Sequence, residues 1–158
     1  LLLAKADHGL LAPSRQALDL GAEVDSLLEF YQPLAEDHDI RLLREGSLSL
    51  PGDRGMLRRV LANLLDNALR HTAAGTRVEL AVETAQGCAR FHVRDHGPGI
   101  AETDLPHLTR RFWRHGKSGG SGLGLAIVQA IVQRCQCRLD FDSRADGLRV
   151  TLEMPLRE

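Results

Sequence analysis

Two asparagines and an arginine are the first residues whose types and spacing could do chemistry. Asn63, Asn67 and Arg70 follow one another at intervals of four and three residues. On a helix turning about 100° per residue they fall within roughly 60° of one another. The apolar positions Met56, Leu57, Val60, Leu61, Leu64, Leu65, Ala68 and Leu69 recur beside them at helical spacing, which predicts an amphipathic helix with this polar group on its rim. An amide oxygen is a neutral hard ligand that suits Mg2+, and a guanidinium next to it suits phosphate. Taken alone, the same three side chains also fit an ordinary solvated helix face.

A second group is Asp95-His96-Gly97-Pro98-Gly99 at the end of an alternating strand. Alternation puts Val93 and Asp95 on the same, inward side, where a carboxylate is costly unless it receives hydrogen bonds. The exocyclic amine of an adenine is one such donor, and Gly97 and Gly99 would leave room for a flat ring. The plain alternative is an Asp-Gly turn. A third group, Gly119-Gly120-Ser121-Gly122-Leu123-Gly124-Leu125, opens a helix. Glycines there let backbone N–H groups and the helix dipole gather around an anion; it lacks the Gly-Lys-Ser/Thr ending of a P-loop, and a simple hinge is the other reading. The fourth is Arg110-Arg111-Phe112-Trp113-Arg114 with Lys117. Phe112 is expected to anchor this stretch in the core while Arg114 or Lys117 reaches phosphate.

These groups need positioning. A strand at Leu18-Asp19-Leu20 is followed by a helix from Gly21, with Val24, Leu27, Leu28, Tyr31 and Leu34 on one face. Ile40 to Arg44 reads as a strand, and Asp53 as the N-cap of the Asn-bearing helix, which Thr72, Ala74 and Gly75 terminate. Thr76 to Thr84 and Ala89 to Asp95 alternate as two strands joined at Gln86-Gly87. The glycine-rich stretch 96–121 is long for a connection within a compact domain and reads as a lid. A helix over 122–134, with Leu123, Ile127, Ala130 and Ile131 in register, precedes strands at Cys137–Asp142 and Leu148–Met154. The order predicts an α/β two-layer sandwich, a mixed β-sheet with helices on one face.

Bulk properties narrow the classes. The 158 residues suit one domain, and a hydrophobic fraction of 43% supports a real core. The net charge of −1 gives no electrostatic footprint for nucleic acid. Three cysteines suggest no disulfide framework. Cys135-Gln136-Cys137 resembles half a metal site, but no Cys or His pair at zinc-like spacing completes it, so ordinary buried or edge cysteines are expected. No apolar run approaches the about 20 residues of a membrane span.

In this order the four groups resemble the boxes of bacterial two-component sensor histidine kinases. Residues 63–72, Asn-Leu-Leu-Asp-Asn-Ala-Leu-Arg-His-Thr, look like the N box, and residues 95–100 like the G1 box. Residues 111–114 look like the F box and 120–125 like the G2 box. The resemblance implies the Bergerat ATP-binding fold, shared with gyrase, Hsp90 and MutL. It implies that Asn67 holds Mg2+, that Asn63 and Arg70 lie at the phosphates, and that His71 lies near the adenine. It further implies that Asp95 accepts from the adenine amine, that Gly97, Gly99 and Ile100 shape the base pocket, and that Arg114 approaches the terminal phosphate. Phe112 and Lys117 belong to the lid, and Gly122, Leu123, Gly124 and Leu125 cradle phosphates. Asn63 stands where related ATPases carry a Glu base, so activation of water should be slow.

The resemblance also sets expectations about context. Residues 1–12 would end a dimerisation and phosphoacceptor helix, and 13–158 would form the catalytic domain with its lid at about 97–121. The cofactors would be ATP and Mg2+. The partners would be acceptor helices of the same longer protein and a response regulator, and not nucleic acid. The longer protein would be a homodimer in the bacterial inner membrane, with this part cytoplasmic and monomeric alone. The acceptor motif, a His followed by an acid and Arg-Thr-Pro, is absent, and Asp7-His8-Gly9-Leu10 does not match it. Self-phosphorylation is therefore not expected. Leu108 takes the place of the first F-box phenylalanine and should keep its apolar anchor.

Overall fold

The computed structural model describes residues 15–110 and 124–156. Its elements run β1 (Arg15–Asp19), α1 (Leu20–Asp37), β2 (Arg41–Glu45), β3 (Ser49–Asp53), α2 (Arg54–His71), β4 (Arg77–Ala85), β5 (Cys88–Arg94), a 3-10 turn (Leu105–His107), α3 (Gly124–Arg134), β6 (Arg138–Arg144) and β7 (Gly147–Pro155). Five strands form a mixed sheet in the order β2-β4-β5-β7-β6. Only β2–β4 is parallel; β4–β5, β5–β7 and β6–β7 are antiparallel. The expected mixed sheet with helices on one face is what forms.

Period-two alternation separates the two faces. Val78, Leu80 and Val82 of β4, Ala89, Phe91 and Val93 of β5, and Val150 and Leu152 of β7 are buried. They share one core with Val60, Leu61, Leu64, Leu65 and Ala68 of α2 and with Val128, Ile131 and Val132 of α3. The opposite face carries ion pairs, Arg90–Glu153 at 2.9 Å, Arg149–Asp142 at 3.4 Å and Arg77–Glu79, and a contact of 2.9 Å between His92 Nε2 and Glu83. The β4–β5 hairpin turns where expected, with positive φ at Gln86 and Gly87.

Three local differences from the sequence reading have physical causes. Strand β1 starts at residue 15 and pairs antiparallel with β3 in a separate two-stranded ribbon, Leu18 opposite Leu50 and Ala17 opposite Pro51. Residues 49–53 carry Pro51 and Gly52, which read as punctuation rather than strand. On α1, Leu34 is 39% exposed while Ala35 and Glu23 are buried. Glu23 is held there by Arg54 at 2.7 Å and Arg58 at 2.8 Å from α2. Burial alone would raise its carboxyl, but the two guanidinium bonds together hold it below the usual carboxylate value. On α3 the buried residues are Ala126, Val128, Ile131 and Val132, whereas Ile127 and Ala130 are only half-buried; a helix this apolar leaves its facing ambiguous in sequence. Among the described residues no helix is long and apolar enough to cross a membrane.

Candidate functional site

Helix α2 is placed by its N-cap. The Asp53 side chain accepts from the Met56 N–H at 3.0 Å, satisfying an orphan donor of the first turn. From there the apolar stripe locks the helix onto the sheet, and its rim residues arrive at the ends of β5 and α3. The helix stops at Thr72, which is buried, and whose Oγ1 accepts from the His96 N–H at 2.6 Å. Ala73 N–H donates to His96 O at 3.3 Å. The end of α2 and the turn after β5 are thereby sewn together.

Asp95 is 3% exposed. Its Oδ1 accepts from Gly97 N–H at 3.1 Å and from Leu148 N–H at 3.0 Å, while its own N–H donates to Leu148 O at 3.0 Å. Both side-chain bonds end on the same oxygen. Burial pushes the carboxyl above its ordinary range, against the pull of the two backbone donors and of His71 and His96. The inward orientation expected from alternation with Val93 is realised.

The glycines of this turn answer to the protein's own backbone. A Cβ at Gly97 would lie 2.0 Å from the His71 carbonyl oxygen, and one at Gly99 2.1 Å from that of Arg144. Gly99 also has φ +73°, a region L side chains rarely occupy. Gly147, legible in sequence only as a turn residue, permits a third close approach, 2.1 Å from its Cβ position to Asp95 O. Ile100, half-buried against the core, is clasped by Ser143: that hydroxyl accepts from Ile100 N–H at 2.6 Å and donates to Ile100 O at 2.9 Å. Thr72 and Ser143 hold the turn after β5 through these bonds, which sequence reasoning did not assign because their partners are distant along the chain.

Asn63 connects the helix to the glycine-rich segment. Its Nδ2 donates to Arg59 O at 2.9 Å, and a Cβ on Gly124 would lie 3.2 Å from its Oδ1. The described start of α3 thus rests on the first asparagine. Asn67 follows one turn along, half-buried. Arg70, 41% exposed, is bridged to Asp66 at 2.5 Å, which sets it on the rim. His71 is half-buried at the helix end, and Leu125 packs against the core from α3. Leu108 is 5% exposed, so the apolar anchor expected of it is present. Phe112, Arg114, Lys117, Gly122 and Leu123 lie outside the described residues.

The structure sets Gly97 and Asp95 beside the His71 end of α2 and Gly124 beside Asn63 two turns earlier, with Asn67 and Arg70 between them along the same helix. A buried acceptor at the end of β5 can receive a donor from a polar ring. Amide oxygens on α2 match the hard-ligand chemistry of Mg2+, and the beginning of α3 supplies the N-terminal end of a helix for an anion.

Comparison with known proteins bears on the family and the fold. Residues 52–158 match the family model described as histidine kinase-, DNA gyrase B-, and HSP90-like ATPase. The sensor histidine kinase CusS of Escherichia coli O157:H7 is 38% identical over 163 residues, covering 99% of this chain and 34% of that protein. The sensor protein CopS of Pseudomonas syringae pv. tomato is 37% identical over 114 residues, 72% of this chain and 23% of that one. The chain thus spans about a third or less of the length of these relatives. Among solved structures, full-length ShkA in complex with AMPPNP superposes with a TM-score of 0.88 at 26% identity, over 98% of this chain and 34% of that one. The Acinetobacter baumannii histidine kinase AdeS shares the fold with a TM-score of 0.83 at 24% identity, over 99% of this chain and 75% of that one. With the family model covering residues 52–158, the chain belongs to the histidine kinase-, DNA gyrase B-, and HSP90-like ATPase family.

Proposed function

We propose that residues 13–158 bind Mg-ATP and deliver its γ-phosphate to a histidine on a separate helical domain of the same longer protein, from which the phosphoryl group passes to a response regulator. The observation that carries this reading is Asp95, a carboxylate 3% exposed whose two side-chain hydrogen bonds both fall on Oδ1. Its other oxygen, Oδ2, accepts from the adenine amine. Gly97, Gly99 and Ile100 hold the turn under the base, with His71 beside it. Asn67 holds Mg2+ through its amide oxygen, and bound Mg2+ neutralises phosphate charge. Asn63, Arg70 and the segment Gly122, Leu123, Gly124 and Leu125 line the phosphates, while Phe112, Arg114 and Lys117 serve the lid side.

Catalysis on this reading is positioning and charge neutralisation, the usual substance of phosphoryl transfer. Asn63 carries no basic carboxylate, so water is poorly activated and ATP waits for an imidazole nucleophile. The test mixes the chain with a separately produced helical domain carrying the acceptor histidine and follows label from [γ-32P]ATP. Acid-labile, base-stable label on that domain is expected. No transfer to a competent acceptor, or steady ATP hydrolysis by the chain alone, refutes the kinase reading.

A further inference from the structure

The turn that leaves β5 is held at both ends by a single rung of the β6–β7 hairpin. Ser143 stands opposite Leu148 in that pair. Leu148 takes the near end of the turn: its N–H donates to Asp95 Oδ1 at 3.0 Å, and its carbonyl accepts from Asp95 N–H at 3.0 Å. Ser143 takes the far end. Its hydroxyl has one proton and two lone pairs, and uses them on both backbone groups of Ile100, accepting from the N–H at 2.6 Å and donating to the carbonyl at 2.9 Å. The separation of Asp95 from Ile100 is therefore set by the hairpin rung as well as by the residues between them.

Backbone packing presses the turn onto the same hairpin. A Cβ at Gly99 would lie 2.1 Å from Arg144 O and 3.1 Å from Ser143 Oγ, and one at Gly147 would lie 2.1 Å from Asp95 O. The span between the two anchors is Gly97-Pro98-Gly99. Two glycines make it a segment with much conformational freedom to recover if one end is released. Within it lies the Gly97 N–H, which donates to Asp95 Oδ1 at 3.1 Å. That bond and the one from Leu148 hold the carboxylate by a single oxygen. Releasing Ile100 lets the glycine span drift, loosens the Gly97 donor, and leaves the plane of the Asp95 carboxylate set by Leu148 alone.

We propose that Ser143 is a positioning residue for purine selection: by holding Ile100 it keeps the Gly97 N–H on Asp95 Oδ1 and so reserves Oδ2 for the exocyclic amine of the base. The assignment rests on the adenine reading of the same site. Ser143 acts through Ile100 and Gly97 and touches no nucleotide itself. Its influence therefore falls on the choice between purines, because the phosphate side is built from α2 and the start of α3. A base that brings no amine to Asp95 gains little from a well-held carboxylate, so it loses little when Ser143 is removed.

The test compares Mg-ADP with Mg-inosine diphosphate, whose base carries a carbonyl where adenine carries its amine, by titration calorimetry. The wild type should prefer ADP. Ser143→Ala should weaken ADP about tenfold, the scale of one net hydrogen bond to a charged acceptor, and inosine diphosphate by no more than about twofold, so the preference shrinks. Thr151→Ala is the control: it removes another hydroxyl of the same sheet, bonded to His92 Nδ1 at 2.8 Å on the outer face, and should keep the wild-type preference. Hydrogen exchange on the wild type gives a second reading that needs no variant. At equal saturation, ADP should slow exchange of the Ile100 amide more than inosine diphosphate does. The assignment is overturned if Ser143→Ala keeps the wild-type preference while Asp95→Asn loses it, or if both nucleotides protect Ile100 equally. A wild type that shows no preference, or an Asp95→Asn variant that keeps it, overturns the adenine reading and this assignment with it.

Discussion

Replacing Asp95 by Asn separates recognition from folding. Asn keeps the oxygen that accepts from Gly97 N–H at 3.1 Å and Leu148 N–H at 3.0 Å, so the turn retains both bonds. The second oxygen becomes an NH2 group, which faces the adenine amine donor to donor. The lost bond is one to a charged acceptor, about 1.5–3 kcal/mol, or roughly ten- to hundredfold in Kd for ADP. Stability should move the other way. Burial raises the Asp95 carboxyl above its ordinary value, so the folded state binds the proton more tightly than the unfolded chain. That contribution is complete below the unfolded value near pH 3.9 and is lost as pH rises through the folded one. At pH 7.5 the wild type carries the cost of an ionised buried carboxylate, which Asp95→Asn removes. Its melting temperature should equal or exceed that of the wild type, and the difference should shrink on acidification. Titration calorimetry with Mg-ADP, and thermal melts from about pH 8 down to the unfolded carboxylate value near 3.9, read both effects. Unchanged ADP affinity refutes the adenine role. A large fall in melting temperature instead makes Asp95 a turn residue whose charge is structural.

Gly97→Ala places a methyl group 2.0 Å from the His71 carbonyl and should destabilise the fold by about 1–3 kcal/mol, read by urea unfolding. Glu23→Gln should cost about 1–3 kcal/mol: breaking a buried pair costs more, but Arg54 and Arg58 are each half-exposed and solvent screens them. Because its two arginines hold Glu23 low, its contribution is present above the unfolded value near pH 4.3 and lost as pH falls through the folded one. The variant's acid unfolding curve should therefore be shallower, and an unchanged curve would discount the ion pair. Asn67→Ala should remove most of the gain that Mg2+ gives to ADP binding in calorimetry while leaving metal-free ADP binding within about twofold; an unaltered Mg2+ dependence would move the metal elsewhere.

The helix that bears the asparagines was legible because its apolar stripe, its Asp53 cap and its Thr72 end all agree locally. The β4–β5 hairpin was legible for the same reason, through alternation and a Gln-Gly turn. The inward aim of Asp95 followed from Val93 two residues earlier. What escaped the sequence was settled by distant partners. Glu23 reads as a surface acid until Arg54 and Arg58 arrive from α2. The pairing of β1 with β3 joins the short strand read around Leu18 to residues 49–53, whose Pro51 and Gly52 hide a strand. Ser143 finds Ile100 across 43 residues, and Thr72 finds His96 across 24. No local pattern announces such bonds.

The charged outer face of the sheet has a consequence for assembly of the strands themselves. Arg90, His92 and Arg94 alternate with the buried Ala89, Phe91 and Val93 on the central strand β5. A slip of one residue against either neighbour would drive those basic groups beneath the helices and lift the aromatic and valine side chains into water. Each surface pair contributes little to stability, but together they make every neighbouring alignment prohibitively poor. The charged outer face thus acts as a ratchet for strand alignment, and through it fixes where Asp95 comes to rest.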